Sequence, residues 1–288
     1  MQNLYLAQTQ QGKNAWRRYM LGAVAIFVFW QVGTAFVLVA VGALEERSIP
    51  GFALSLASFA FLLFGTWLFN RLLHGRSVRS LTTPFARLSW ARVLAGGALW
   101  AAVSALAMAV EAVLYPGRYT FNGVSADFWP YLAIGLVLTP LQTTAEEYFF
   151  RGYLLQASGR LTQNPIILSV LNGLLFTLPH LANVEAGEVG LLGSLALYGG
   201  MGFLLSWVTL RTQTLEMAIG IHAVNNLFAV HVVNYVNSSV PAPSLFSLLV
   251  IDAAFASFAF LAAAAVFIAI LEMTALRRPL QNRNVARA

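Results

Sequence analysis

Glu146 and Glu147 are adjacent acids inside an apolar run, with Arg151 one helical turn further on. Ionisable groups at membrane depth are costly to keep there and mark a functional site by default. Two more apolar stretches share the feature: His180 lies in LLFTLPHL (174–181), and His222 with Asn226 lies in AIGIHAVNNLF (218–228). A carboxylate, two imidazoles and an amide are groups that activate water and steady a developing oxyanion.

On a helix, Glu147 and Arg151 are four residues apart and can pair in the favourable order, acid before base. Glu146 points about 100° away. One acid is then neutralised locally while the other faces a cavity, an environment that suits Glu146 to general-base work. The plainer reading of the pair is a structural tie between helices. Asn172, Phe176 and His180 recur at steps of four and share a face, with Pro179 disturbing the helix just before the histidine. His180 could hold the attacking water or bind a metal; taken alone it reads as a helix-end histidine bonded to a neighbour. His222 and Asn226 share another face, suited to gripping a carbonyl oxygen, and Asn225 points elsewhere. His231, His74, Glu111 and Asp252 are assigned to structure: His231 lies about half a turn from His222, His74 sits in a basic loop, and the two acids lie toward the outer side.

These residues must be positioned by helices in lipid. Of 288 residues, 59% are hydrophobic and only 10% charged, with a mean hydropathy of +0.71, outside the range of soluble domains. The net charge of +6 collects in tails and loops, where it encodes topology rather than a nucleic-acid surface. Cysteine is absent, which excludes disulfides, thiolate metal sites and a cysteine nucleophile; a zinc site would need histidines and carboxylates.

A crossing needs about 20 apolar residues, and the sequence predicts an all-α polytopic membrane protein of about eight such spans. They run from Met20 to Leu44, Gly51 to Leu73, Arg92 to Tyr115, Phe128 to Gln156, Pro165 to Ala182, Val189 to Leu210, Thr214 to Tyr235 and Leu245 to Leu271. Every second connection is basic: Lys13, Arg17 and Arg18; then Arg71, Arg76, Arg79 and Arg87; then Arg160; then Arg211; then Arg277, Arg278, Arg283 and Arg287. The intervening ones carry Glu45, Glu46 and Arg47, Arg118 with Asp127, and Glu185 with Glu188. The positive-inside rule therefore puts both termini in the cytoplasm, as an even span number requires. The division is a cytoplasmic amino tail (1–19), a membrane domain (20–276) with its core at 128–235, and a basic cytoplasmic tail (277–288). The first span is too long for a cleaved leader and reads as a retained signal anchor. Residues 71–92 read as a basic loop or as a short amphipathic helix on the inner leaflet. The anchor, and sixteen arginines to one lysine, suit a bacterial inner membrane.

In ordered motifs the sequence resembles the CAAX protease and bacteriocin-processing family, CPBP or Abi, of intramembrane endopeptidases. EEYFFRG (146–152) fits EExxxR, FTLPH (176–180) fits FxxxH, and HAVNN (222–226) fits HxxxN. The resemblance implies an eight-helix fold with a chamber opening toward the cytosol, and hydrolysis of a peptide bond in a membrane-associated protein or peptide, lipidated or not. By motif position Glu146 is the base, His180 helps hold the water, His222 and Asn226 stabilise the oxyanion, and Glu147 with Arg151 braces Glu146. Phe176 and Asn172 would support. The family has been described both as metalloproteases and as glutamate proteases; Glu146, His180 and His222 could supply three zinc ligands. The alternatives are a non-catalytic scaffold or immunity protein of the same family, and a proton-coupled transporter. A transporter favours polar residues strung through the whole bilayer or an inverted repeat, and the sequence has neither.

Overall fold

The computed structural model describes residues 3–41, 48–274 and 276. Glu45, Glu46, Arg47, Arg277, Arg278, Arg283 and Arg287, used above for topology, lie outside the described residues.

Backbone in lipid must satisfy its own hydrogen bonds, and apolar runs do so as helices. The chain forms α1 (Leu4–Ala7), α2 (Trp16–Val41), α3 (Ile49–Ala57), α4 (Phe59–Phe69), α5 (Trp90–Leu114), α6 (Phe128–Glu147), α7 (Gln156–Ser158), α8 (Pro165–His180), α9 (Val184–Ser194), α10 (Gly200–Thr212), α11 (Glu216–Leu227) and α12 (Ala253–Met273). Wider π-helical turns join several of these, Tyr148–Leu155 continuing α6 into α7 and Phe228–Val232 extending α11. Local chemistry sets the ends: Asn164 accepts from the amides of Ile166 and Ile167 ahead of Pro165 to start α8, and Asp252 accepts from the Phe255 amide to start α12, both as side-chain caps. Each predicted span contains a helix. Five helical stretches are long and apolar enough to cross a membrane, Trp16–Val37, Ile49–His74, Trp90–Leu114, Val184–Thr212 and Ala253–Met273, and Pro165–His180 is a shorter apolar helix. Leu21, Val24, Phe36, Leu94, Val137, Leu192 and Phe258 face outward, the pattern of a protein whose solvent is hydrocarbon. The chain is an integral membrane protein.

The fold is mostly helical, as the sequence predicts. Beside the helices, β1 (Thr120–Phe121), β3 (Phe246–Leu248) and β2 (Val233–Tyr235) form a small sheet in that order, antiparallel for β1 with β3 and parallel for β2 with β3. The ends assigned to spans seven and eight are therefore strands, which pair their backbone groups with one another where the helices stop. Residues 71–92 hold a basic loop with one 3-10 turn, not an amphipathic helix, and part of the loop is buried: Arg76, Ser80, Leu81, Thr82, Thr83 and Phe85 pack against the bundle. Arg76 donates to Tyr19, to the Ser80 carbonyl and to Gln156. His74 is likewise buried, bonded to the Lys13 carbonyl at 2.7 Å and to Tyr153 Oη at 2.8 Å. The amino-terminal segment is docked rather than a free tail. Tyr5 and Leu6 are buried, and the Tyr5 hydroxyl donates to the carbonyls of Leu81 (2.6 Å) and Arg151 (3.2 Å).

Small residues let the central helices touch backbone to backbone, as membrane helix packing favours. A methyl group at Gly220 of α11 would stand 1.9 Å from the Val93 carbonyl oxygen of α5, and one at Gly96 2.6 Å from that of Met217. This seam fixes the depth and rotation of α11, and with it His222 two residues on. Gly220→Ala is expected to push the helices apart and destabilise the protein by about 3 kcal/mol, at the upper end of overpacking costs, read as a lowered Tm in detergent.

Candidate active site

Glu146 and Glu147 are the last two residues of α6, and both are buried, as is Arg151 in the following π-helical turn. Arg151 Nη1 donates to Glu147 Oε1 at 2.7 Å, and Nη2 reaches the Gly202 carbonyl at 3.4 Å. The same Glu147 oxygen lies 2.8 Å from His222 Nδ1. A carboxylate only accepts, so Nδ1 carries the proton and His222 turns Nε2 the other way. That Nε2 stands 3.5 Å from Glu146 Oε2, so the two atoms face each other across the cavity wall. The order is Arg151, Glu147, His222, Glu146. The pair Glu147–Arg151, expected to brace Glu146, braces the histidine that faces it.

Glu146 is held from its own helix by Gln142, whose Nε2 donates to Glu146 Oε2 at 2.8 Å. Gln142 Oε1 accepts from Asn226 Nδ2 at 3.1 Å, which fixes the amide orientation and links α6 to α11. Asn226 Oδ1 in turn accepts from Asn225 Nδ2 at 3.1 Å, and Asn225 Oδ1 from Trp100 Nε1 at 3.2 Å. His180 ends α8. Its Nδ1 is 2.6 Å from the Phe176 carbonyl, which can only accept, so Nε2 again presents a lone pair. Phe176 lies against His180 and His222, with ring centroids 4.3 and 5.7 Å away, and Arg151 sits over its face at 4.5 Å. Tyr198 covers His180 with centroids at 4.6 Å.

A cavity of about 610 Å³ is lined by Glu146, Phe176, His180, His222 and Asn226 together with Gln142, Asn225 and Tyr198. Five of the predicted residues thus share one wall, and Glu147 with Arg151 forms the layer beneath. Asn172 does not belong. It is buried outside the cavity and donates to the Leu168 carbonyl at 3.4 Å, because each four-residue step turns about 40° past a full circle and two steps rotate it about 80° from His180. Asn225, expected to point elsewhere, lines the cavity beside Asn226. Gln142 and Tyr198 were not anticipated. Gln142 was findable, lying four residues before Glu146 on the same face, whereas no spacing rule connects Tyr198 to His180.

Among the described residues no group of three His, Cys, Asp or Glu side chains is arranged to hold a metal ion, so Glu146, His180 and His222 do not form a ready-made metal site. The residues assigned to structure stay there. Arg118 ties Glu111 (2.8 Å) to Asp252 (3.0 Å) on the far side of the bundle, and His231 is buried against Phe52 and Phe128.

Comparison with known proteins agrees with the motifs. The chain is 35% identical over 196 residues to the Bacillus subtilis (strain 168) protein "Uncharacterized protein YyaK", an alignment covering 67% of this chain and 65% of that one. The chain thus spans about 65% of the length of the relative it matches. No solved structure matches it. Residues 125–228 match the family described as type II CAAX prenyl endopeptidase Rce1-like. That segment holds Glu146, Phe176, His180, His222 and Asn226, and over it the chain is similar to the CAAX-protease family.

Proposed function

We propose that the protein is a membrane-embedded endopeptidase that hydrolyses a peptide bond of a membrane-associated protein or peptide with water activated by Glu146. The observation that carries this reading is the facing pair of Glu146 Oε2 and His222 Nε2 at 3.5 Å, inside a cavity and backed by Glu147 and Arg151. A water bound there gives up a proton to Glu146 while its oxygen attacks the carbonyl carbon. His180 offers its Nε2 lone pair to the same water. The oxyanion is met by the second Nδ2 hydrogen of Asn226, the first being held by Gln142, and by His222 once its Nε2 carries the proton passed from Glu146. The collapsing intermediate then takes a proton from that pair onto the leaving nitrogen, which restores the starting state.

The helices in all eight predicted spans, and the basic residues Arg17, Arg71, Arg160 and Arg211 near the same ends of the bundle, support eight crossings with both termini in the cytoplasm. A bacterial inner membrane fits the composition. The deciding experiment is a peptide-cleavage assay of purified wild type beside Glu146→Gln. Glu147→Gln is a second check: the amide holds the Nδ1 proton of His222 less well than a carboxylate and leaves Arg151 without its counter-charge, so kcat of the recovered protein is expected to fall on the order of 10²-fold or more together with a lowered Tm.

A further inference from the structure

The cavity extends in one direction only. Along α6 and the turn after it, its lining residues are Thr139, Gln142 and Glu146, and among the described residues none comes from 147–158. Along α11 and its extension they are His222, Asn225, Asn226, Ala229 and Val230, and none comes from 216–221. From that floor the wall rises past Asn183 and Glu185 to Ser238, Ser239 and Val240, where Ser239 donates to Glu185. The opposite direction is closed. Below Glu146 come Glu147, Tyr148, Arg151, Tyr153 and Gln156, all buried, with Tyr5 and Leu81 packed beneath them.

The two ends of the bundle differ in charge. The closed end carries Lys13, Arg17, Arg18, Arg71, Arg76, Arg79, Arg87, Arg160 and Arg211. The open end carries Glu185, Glu188 and Asp127, and its Arg118 is taken by Glu111 and Asp252. Basic residues stay on the cytoplasmic side.

We infer that the site is entered from the extracytoplasmic face, and that its substrates are polypeptide segments presented on that side of the membrane, such as the membrane-proximal part of an exported protein or peptide. The inference rests on the peptidase reading for the word substrate, and departs from the cytosolic opening that the family resemblance implies. A peptide reaches Glu146 by threading past Ser239 and Ala229, whereas one in the cytoplasm meets the buried Tyr5, Leu81 and Arg151 layer.

The absence of cysteine allows a direct test with single substitutions. Ser239→Cys marks the rim, Ala229→Cys the cavity wall, and Leu161→Cys the exposed turn between α7 and α8 at the closed end. In intact cells a charged, membrane-impermeant maleimide is expected to label the first two as fully as in permeabilised cells, and Leu161→Cys only after permeabilisation. Labelling of Leu161→Cys with protection of Ser239→Cys would overturn the orientation. Failure of Ala229→Cys to react from outside, with Ser239→Cys reacting, would overturn the path. Labelling requires no turnover and can be repeated in the Glu146→Gln background, so its outcome is separate from that of the cleavage assay.

Discussion

Glu146→Gln is expected to lower kcat on the order of 10²–10⁴-fold, the contribution of a positioned general base, while the protein still inserts, purifies and unfolds like the wild type. The side chains have the same shape, and an amide oxygen can accept from Gln142 Nε2 as the carboxylate oxygen does at 2.8 Å. Among the described residues no arginine pairs with Glu146; Arg151 is engaged with Glu147. Removing the charge therefore leaves no cation stranded, and only the chemistry is lost. The check is paired: initial rates of peptide cleavage against thermal unfolding in the same detergent. Undiminished turnover would sink the mechanism. Lost turnover with a lowered Tm would show that Glu146 also holds the fold.

Arg151→Met has the opposite signature. Glu147 and Arg151 are wholly buried and 2.7 Å apart, and a buried ion pair broken by deleting one partner costs about 3–5 kcal/mol because the other charge remains. Glu147 would keep only His222 as a partner, since its Oε2 already lacks one. The expected result is a protein recovered poorly from membranes, with a Tm depressed well beyond that of Glu146→Gln. Removing both charges, as Arg151→Met with Glu147→Gln, should recover much of that stability without recovering cleavage. The two single variants and the double then measure the coupling. A double variant no more stable than Arg151→Met alone would mean that the guanidinium acts through its packing over Phe176 rather than through charge.

The parts of this site legible in the sequence are those that helical periodicity encodes. Glu147 with Arg151, His222 with Asn226, and Phe176 with His180 are each four apart, so a single chain reading places them on common faces. Their meeting around one cavity was a geometric expectation, and the cavity lining agrees with it for Glu146, Phe176, His180, His222 and Asn226. What periodicity does not encode was missed. The bond from His222 to Glu147 joins residues 75 positions apart, and spacing could not tell whether Arg151 serves Glu146 or the imidazole. Asn172 stands outside the cavity because a four-residue step drifts around the helix. The strands of two and three residues are too short to alternate visibly, and they sit where apolar composition alone suggests that a span continues. The buried part around Arg76 reads simply as basic loop because its arginines are counted as charges, although both terminal nitrogens of Arg76 donate inside the protein, to Tyr19, Gln156 and the Ser80 carbonyl.

The clasp between Tyr5 and the Arg151 carbonyl joins positions 146 apart in the chain. Ribosomes deliver residue 5 long before residue 151, so the docking surface for the amino-terminal segment does not exist when that segment is made. Until the fourth hydrophobic stretch has been inserted, Tyr5 has only the Leu81 carbonyl of its two acceptors to meet. Closure of the layer beneath the candidate site is thus a late event in biogenesis, and bulky tags fused ahead of Asn3 would have to be accommodated at that step.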